Sequence, residues 1–451
     1  MAVETHAPAA AALETPSRSA SDFAIRSMIV LVLVNIVNFY DRNVPGALAE
    51  PIRKEFGLSD TQLGWLGTIF TLLYAVIGLP LGRLADRGSR KKLLSVGIAI
   101  WGALTAFAFW ARNYSMLLIS RLGVAVGEAS CAPTATSWIG DLFPPNRRAR
   151  PLALFMLGVP VGGALSFFFS GRTADLWGWR WAMIVAALPA LLLAPVVWFL
   201  HEPERGASEQ HAPVVAGDVR KVLRIPTFWW IIASGAFVNF NLYAIGAFLP
   251  AFFGRIYKLS AGKAGLETGM VYLIGGVLGG TIAGYWGDFI VRHRANGRMT
   301  AASLAALAAA PLAYFGVRQS MGGLTLAVIF LTLAYGFLNM YYGLVYSSIQ
   351  DIVAPALRGT VMSIYFCVMY LGGASFGPVI TGKLSDHMAR KAATAAGSEK
   401  VTEVFKAIGL QQAMLVIPLL SLGLAFVLWA GSRTISRDVE RHRAGKSLAT
   451  T

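Results

Sequence analysis

Twelve stretches of about 20 mostly apolar residues run through this 451-residue chain, and they limit its fold more than any other feature. A helix of about 20 residues crosses the hydrocarbon core of a bilayer, which is about 30 Å thick. With 56% hydrophobic and only 14% charged residues, the chain lacks the polar surface of a soluble globule. We predict an all-α membrane protein with spans at 27–48, 61–82, 92–111, 114–140, 148–171, 180–200, 227–253, 265–289, 299–317, 323–349, 357–381 and 409–431.

Basic residues cluster in the short loops after the second, fourth and eighth predicted spans. Lys and Arg are the residues least easily translocated during insertion, so these loops are predicted to be cytoplasmic. Both termini then lie in the cytosol, with a disordered Ala/Pro/Ser-rich tail over 1–26 and a basic tail over 432–451. The predicted location is the plasma (inner) membrane, which the chain crosses many times.

The formal net charge of +16 would suggest a nucleic-acid partner in a soluble protein. Here the positive charge borders the membrane, so we expect contact with the lipid bilayer and no nucleic-acid partner. Cys131 and Cys367 lie in apolar stretches of different halves without a CxxC pair, which predicts packing thiols and no metal site. The sequence has no GxxxxGK[ST], HExxH or GxSxG motif, so we predict neither a cofactor nor an enzyme.

A polar, Pro-punctuated stretch at 202–226 is predicted to be a cytosolic linker. It divides the chain into two six-helix bundles, at 27–201 and 227–431. The segment GRLADRGSRKK in the first bundle reappears as GYWGDFIVRHR in the second. A repeat of this kind is typical of a secondary transporter whose binding site lies between its halves.

Three positions of the repeat match at a separation of 202 residues, and we predict that they form a gate. Glycine would allow close helix approach, and the aspartate would pair with the arginine or accept from a neighbouring helix N-terminus. This contact would close the cytosolic side and break when the protein opens inward. The residues are Gly82, Asp86 and Arg90 in the first half and Gly284, Asp288 and Arg292 in the second.

Four ionisable residues are predicted deep in the membrane, where such residues usually face a water-filled cavity. Asp41 and Arg121 come from antiparallel helices at roughly equal depth, about 20 Å from the cytosol, and could pair. Glu128 lies two turns after Arg121 on the same face, about 10 Å nearer the cytosol. Away from the cation in a dry cavity, Glu128 could exchange a proton, as could Asp41.

Arg42 is offset by about 100° from Asp41, so we expect it to offer its guanidinium to an anionic substrate group. Asn35 and Asn38 continue a polar stripe on the same helix. The alternative is a fixed charge network that only holds the helices together. The second half is predicted to contribute an aromatic wall that includes Tyr365, with Asn239 as a polar contact beside it. Together with the charged first half, this suits an amphipathic substrate.

The repeated GRLADRGSRKK segment resembles the signature loop of the major facilitator superfamily, and the match covers nearly the whole chain. NFYDRNVPGAL, RLGVAVGEASCAPTATSWIGDLFPPNRRAR, GVPVGGAL, GWRWAMIVAALPALLL and EPERG are similar to the spinster family. The resemblance implies the major facilitator fold around a central cavity. It also implies a proton-linked or facilitative carrier of lysophospholipids or sphingoid phosphates.

The family's polar cavity residues map onto Asp41, Arg42, Arg121 and Glu128, with Asn35 as a head-group contact. The family pattern RxxxGxGEA is altered here, because Ala125 replaces its first glycine. Three alternatives stay open: an organic-anion/proton symporter, a drug/proton antiporter of the same superfamily, and a non-transporting lipid receptor. The expected partners are an amphipathic anionic lipid, protons and the bilayer, and the expected oligomeric state is a monomer.

Overall fold

The computed structural model describes residues 18–144, 147–205, 222–291, 294, 296–353 and 358–448. The regular elements in these ranges are helices, and twelve are long and apolar enough to cross a membrane. Because their number is even, the start of the first and the end of the last lie at one end of the molecule, which we call the inner end; the opposite one is the outer end. We number them spans 1 to 12: Asp22–Ala47, Asp60–Ala85, Arg90–Trp110, Tyr114–Leu142, Arg150–Trp177, Trp179–Phe199, Pro226–Ile256, Ala261–Gly287, Gly297–Arg318, Met321–Ile349, Val361–Ala395 and Glu403–Arg441.

Each predicted span overlaps one observed span in the same order, so the all-α membrane fold is confirmed. The largest differences occur at the ends of the last two spans, where span 11 continues to Ala395 and span 12 continues to Arg441, into the predicted basic tail. Hydropathy marks only the part of a helix in the apolar core, whereas backbone hydrogen bonding continues through polar turns. The first helix begins at Arg18, inside the predicted tail. Residues 1–17, and 206–221 of the predicted linker, lie outside the described residues.

Spans 1–6 and spans 7–12 form two bundles that meet where span 1 contacts span 7, span 2 contacts span 11 and span 5 contacts span 8. Glycine permits the closest approaches. A Cβ atom on Gly64 of span 2 would lie 2.5 Å from the carbonyl oxygen of Pro378 of span 11, and one on Gly265 of span 8 would collide with the backbone of Phe167 in span 5. The two bundles therefore pack backbone to backbone along these seams.

A short helix, Ala49–Phe56, lies between spans 1 and 2 at the outer end, and we call it the outer helix. Its Glu55 carboxylate accepts hydrogen bonds from Trp179 Nε1 at 2.6 Å and from Arg180 at 2.8 Å, both at the start of span 6. Burial alone would raise the pKa of Glu55, but these bonds and the charge of Arg180 hold that pKa below its usual range. The outer helix is thus fixed to its own bundle by an ionised side chain.

Ion pairs join the two bundles at the outer end. Arg255, at the end of span 7, pairs with Glu50 of the outer helix at 2.5 Å and with Asp60 of span 2 at 2.6 Å. Arg53 of the outer helix pairs with Glu403 of span 12 at 2.5 Å. Because each of these pairs connects one bundle to the other, all of them must break before the bundles separate at this end.

Several spans are interrupted near their middle. The first helical segment of span 4 ends at Glu128 and the second begins at Cys131. Spans 8 and 11 each contain one π-helical turn, at Val271–Gly275 and Tyr370–Ala374. Irregular turns of this kind change the direction of side chains and frequently mark functional sites.

Candidate functional site

Asp41 of span 1 and Arg121 of span 4 approach each other as the sequence predicts. Oδ2 of Asp41 lies 3.7 Å from Nη1 of Arg121, and both side chains are buried. The hydroxyl of Thr105 in span 3 donates to the same carboxylate, at 2.8 and 2.9 Å from its two oxygens. The negative charge of Asp41 is therefore compensated inside the first bundle by one cation and one hydroxyl.

Arg42 also pairs with a carboxylate, which the sequence does not predict. Its Nε and Nη2 atoms donate to Oε2 of Glu128 at 3.2 and 3.1 Å. The expectation that Glu128 lies away from a cation is wrong, because the long Arg42 side chain reaches across to span 4. Glu128 ends a helical segment, where the helix dipole disfavours negative charge, so its ionised form depends on Arg42.

Three aromatic rings surround the Arg42 guanidinium. Its Cζ atom lies 4.4 Å from the ring centroid of Tyr74, 4.7 Å from Phe39 and 5.4 Å from Phe70. The Phe70 ring also lies 5.1 Å from Cζ of Arg121, so both arginines contact it. Cation–π contacts stabilise a desolvated guanidinium by up to about 2 kcal/mol each. The sequence analysis missed these rings, although the i, i+4 spacing of Phe70 and Tyr74 places them on one helix face.

The charged cluster contains buried polar atoms that no other described residue satisfies. They are the donors Nδ2 of Asn38, Nη1 of Arg42, and Nε and Nη1 of Arg121. Among the cluster's acceptors, Oε1 of Glu128 also has no hydrogen-bond partner among the described residues. Since buried donors are normally paired, and donors exceed acceptors in this set, the cluster complements a group rich in oxygen atoms, such as an anion.

The two asparagines of the polar stripe have different environments. Asn38 accepts from Nη2 of Arg42 at 3.3 Å and belongs to the cluster. Asn35 donates instead to the carbonyl oxygen of Phe155 at 2.7 Å, next to the break in span 5 at Leu157. The Asn35 amide nitrogen therefore holds span 1 against span 5, and its contact with a head group stays a prediction.

Asn239 and Tyr365, the two residues expected from the second half, make hydrogen bonds within that half. Asn239 accepts from the Tyr342 hydroxyl at 3.0 Å and donates to the Gly235 carbonyl at 2.9 Å. Tyr365 is fully buried, with its hydroxyl 2.9 Å from that of Tyr341. Their contact with a substrate also stays a prediction.

Tyr370, rather than Tyr365, brings the second half to the charged cluster. Its ring lies 5.4 Å from Tyr74, which in turn covers Arg42, and 6.1 Å from Tyr243 of span 7. Tyr370 begins the π-helical turn of span 11, and no periodicity in the sequence predicts such a turn. The aromatic wall expected of the second half therefore begins at this ring.

The predicted gate glycines do not support close helix approach in this structure. A Cβ atom on Gly82 would meet Pro133 only at 4.0 Å, and one on Gly284 would have no heavy atom of the described structure within 4 Å. Span 10 nevertheless packs beside Gly284, since a Cβ atom on Gly343 would lie 3.7 Å from the Gly284 nitrogen, so the close approach there does not use the open side of Gly284. The side chains of Asp86 and Asp288, and all of Arg292, lie outside the described residues.

Arg90 makes contacts that the sequence does not predict. Its Nε donates to Glu202 at 3.0 Å, and its Nη1 pairs with Asp141 at the end of span 4. Burial raises the pKa of Glu202, but hydrogen bonds from Arg90 and the hydroxyl of Ser89 outweigh burial and hold that pKa below its usual range. Arg90 thus fixes the inner end of the first bundle.

The second bundle has a related contact that the sequence analysis missed. Arg298, at the start of span 9, pairs with Asp351, which follows span 10, at 2.8 Å. This pair corresponds to Arg90 and Asp141, which border spans 3 and 4. The repeat gives no signal for this pair, because it matches Arg90 with Arg292 rather than with Arg298.

We expect Glu202→Gln to destabilise the first bundle by about 1.5–3 kcal/mol, the usual loss for hydrogen bonds to a charged group. Because the pKa of Glu202 is lowered in the folded state, its stabilisation is present at neutral pH and is lost as the pH falls through that lowered value. Thermal unfolding between pH 3 and pH 7 measures the effect. The exposed neighbour Glu204→Gln is the control, and equal melting temperatures for both variants would contradict the assignment.

The comparisons with known proteins agree with this geometry. The model of the Major Facilitator Superfamily matches residues 31–378. The chain belongs to this superfamily. Its members are transporters and are generally not enzymes, and the major facilitator fold predicted from the sequence is confirmed.

Individual major facilitator proteins resemble this chain over most of its length. An "MFS-type efflux pump" of Mycolicibacterium smegmatis is 32% identical and covers 80% of this chain and 84% of its own length. Human "Protein spinster homolog 1" is 29% identical, and the match covers 83% of this chain and 75% of its own length. A solved bacterial homolog of the human lysosomal transporter spinster, in an inward-facing and occupied conformation, has a TM-score of 0.83 at 27% identity and covers 92% of this chain and 98% of its own. The resemblance to the spinster family is confirmed, and the chain is a multi-pass integral membrane transporter of this type.

Proposed function

We propose that this protein is a proton-coupled secondary transporter that moves an amphipathic anionic lipid, of lysophospholipid or sphingoid-phosphate type, by alternating access. The observation that carries the proposal is the set of buried, unsatisfied donors on Asn38, Arg42 and Arg121. Two guanidinium groups with free N–H bonds are well suited to the oxygens of a phosphate. Among the anions that carry such a group, the resemblance to the spinster family implies a lipid.

An amphipathic substrate matches the difference between the two bundles. The first bundle contributes Arg42 and Arg121 to the cavity, whereas the second contributes the rings of Tyr243 and Tyr370. A polar head group would bind the arginines while the hydrocarbon chain lies along the aromatic side. Binding sites of this composition orient a ligand through a few polar groups within an apolar lining.

Proton coupling follows from competition for Arg42. While Glu128 is charged, an anionic head group can use only Nη1 of this guanidinium, because the carboxylate occupies Nε and Nη2. Protonation of Glu128 would release them. Asp41 contributes by compensating the charge of Arg121.

The ion pairs at the outer end provide the alternating-access step. Arg255 and Arg53 hold the two bundles together there, so this structure corresponds to a carrier closed at the outer end. The similar bacterial structure is inward-facing. We also propose that the protein acts as a monomer in the plasma (inner) membrane, with both termini cytosolic, because one chain supplies both halves of the cavity.

The test is an uptake assay in proteoliposomes that contain a pH-sensitive dye, under an imposed proton gradient. We expect a lysophospholipid or a sphingoid phosphate to cause proton entry, and a small dicarboxylate to cause none. A response to the dicarboxylate alone would instead assign an organic-anion symporter. Exchange of protons for a cationic drug would assign an antiporter, which the efflux-pump relative makes the second candidate. Binding without transport would indicate a lipid receptor.

Asp41→Asn and Glu128→Gln test the proton step in the same assay. Both variants should reach the membrane in normal amounts, because each substitution keeps the side-chain shape. We expect lipid-dependent proton entry to fall to the level of protein-free vesicles in both. Coupling of wild-type strength in both variants would contradict the proposed proton step.

A further inference from the structure

The four charged side chains of the cluster have formal charges that cancel. Arg42 and Arg121 are balanced by Glu128 and Asp41, and each side chain is at most 6% exposed. A net charge is costly in a buried site, because the surroundings cannot replace the hydration that the charge loses. A carrier whose site has the same net charge when empty and when loaded therefore changes conformation without exposing a new charge to the apolar core.

The two carboxylates of the cluster are not equivalent. Asp41 interacts with Thr105 through both oxygens and also faces Arg121. Glu128 is bonded through Oε2 alone, and its Oε1 atom has no hydrogen-bond partner among the described residues. Glu128 can therefore accept a proton on Oε1 without breaking an existing bond at that atom.

The groups that interact electrostatically with Glu128 come from two spans. Arg42 and Asp41 face it from span 1, and Arg121 and Cys131 from its own span 4. Around Arg42, span 2 and the second half contribute tyrosine hydroxyls rather than carboxylates to the described interactions: those of Tyr74, Tyr243 and Tyr370. Glu128 is thus the group of this set that can balance an incoming negative charge by taking up one proton.

An anion at the free Nη1 atom of Arg42 lies beside the negative charge of Glu128, which occupies Nε and Nη2 of the same guanidinium. A proton from solution forms an O–H bond on Glu128, which neutralises the carboxylate and frees Nε and Nη2 of Arg42. When the anion leaves on the other side of the membrane, the O–H bond breaks and the proton is released there. The carboxylate then pairs with Arg42 again.

We infer that the carrier moves one proton with each monoanion, as an electrically neutral unit, and excludes dianions. The inference rests on the proposed function and specifies the charge of its substrate. In the loaded site, the monoanion replaces the charge that Glu128 has lost, so the total stays zero. A dianion would leave one negative charge without a partner in the described cluster, at the depth of Arg42 and Arg121.

Two classes of lysolipid test the exclusion of dianions, because their charge depends differently on pH. A phosphodiester carries one negative charge throughout the neutral range. A phosphomonoester loses its second proton with a pKa of about 6, so about nine tenths of it is a monoanion at pH 5 and about one tenth at pH 7. Lysophosphatidylglycerol and lysophosphatidic acid with the same acyl chain represent the two classes, and neither contains an amine.

The first experiment measures uptake of both lipids into proteoliposomes at equal pH on both sides, corrected for protein-free vesicles. The lysophosphatidylglycerol rate corrects for any effect of pH on the protein itself. We expect the ratio of lysophosphatidic acid uptake to lysophosphatidylglycerol uptake to fall about ten-fold between pH 5 and pH 7. A ratio that does not change with pH would overturn the inference.

The second experiment imposes a membrane potential on vesicles during lysophosphatidylglycerol uptake. We expect wild-type uptake to be independent of the potential, with one proton entering per lipid. In Glu128→Gln the anion would move without a proton, so its uptake should increase when the vesicle interior is made positive. Glu267→Gln, at a glutamate of span 8 outside the cluster, is the matched control and should behave as the wild type.

The outcomes separate the two proposals. If neither lipid enters the vesicles above the protein-free level, the proposed function fails together with the inference. If lysophosphatidylglycerol enters but its uptake follows the potential in the wild type, or brings zero or two protons, only the inference fails. If Glu128→Gln does not fold, two wild-type measurements still test the inference: the change of the uptake ratio with pH, and the response of uptake to the membrane potential.

Discussion

Arg42→Gln is expected to reduce the affinity for an anionic lysolipid by about ten-fold to a hundred-fold. The substitution removes the guanidinium whose free Nη1 atom is available to the head group, and hydrogen bonds to a charged group contribute about 1.5–3 kcal/mol. It also leaves Glu128 without its cation, in a fully buried position. Binding of a radiolabelled lysophospholipid to the purified protein measures the loss. Arg112→Gln, at an exposed outer loop, is the control.

A second variant separates binding from folding. Because Arg42→Gln strands the buried Glu128 carboxylate, it should also lower thermal stability. Adding Glu128→Gln removes that uncompensated charge, so the double variant should recover most of the melting temperature but not the lipid affinity. Recovery of both properties, or normal lipid affinity in Arg42→Gln itself, would show that the Arg42–Glu128 pair only holds the helices together.

Arg255→Gln is expected to shift the protein strongly towards an outward-open state. It removes the two ion pairs that connect span 7 to Glu50 and Asp60 across the bundle boundary. Loss of about 3 kcal/mol from the closed state raises the equilibrium ratio of open to closed protein by about 150-fold. The distance between spin labels at Arg112→Cys and Ser320→Cys, one on each bundle at the outer end, should increase.

The labelling experiment requires replacement of Cys131 and Cys367 by alanine, because both are free thiols. Arg180→Gln is the matched control, since Arg180 pairs with Glu55 inside one bundle and does not connect the two. We expect the control to keep the short distance. An unchanged distance in Arg255→Gln would mean that the glycine seams, rather than the ion pairs, hold the outer end closed.

The sequence was sufficient for the spans and for the pairing of Asp41 with Arg121. Both depend on regular helix geometry: about 20 apolar residues cross a bilayer, and a rise of about 1.5 Å per residue fixes the depth of each charge. Relative depth is a property of the backbone. It could therefore be derived before any side-chain conformation was known.

The Arg42–Glu128 pair could not be derived in this way, because it depends on where a long, flexible side chain ends. Helical angles placed Arg42 on a different face from Asp41, but an arginine head group can extend several ångströms from its own helix axis. Tyr370 was missed for a related reason. Its position depends on a π-helical turn, which changes the helical phase without a clear signal in the sequence.

The outer ion pairs were missed because their residues are not adjacent in sequence and fall at the ends of the predicted spans. Glu50, Arg53 and Asp60 lie near one predicted loop, whereas Arg255 and Glu403 follow more than 190 residues later. Charges at helix ends are common in membrane proteins and usually mark only the membrane surface. The relative position of the two bundles was needed to show that these charges meet.

The most direct test of the account is counterflow of a labelled lysophospholipid into proteoliposomes preloaded with the same unlabelled lipid. The account predicts accumulation of label above the protein-free level in the wild type, and loss of this accumulation in Arg42→Gln, with Arg112→Gln unchanged. Accumulation that persists in Arg42→Gln would contradict the assignment of the binding site to this cluster. Absence of accumulation in a correctly folded wild type would contradict lipid transport itself.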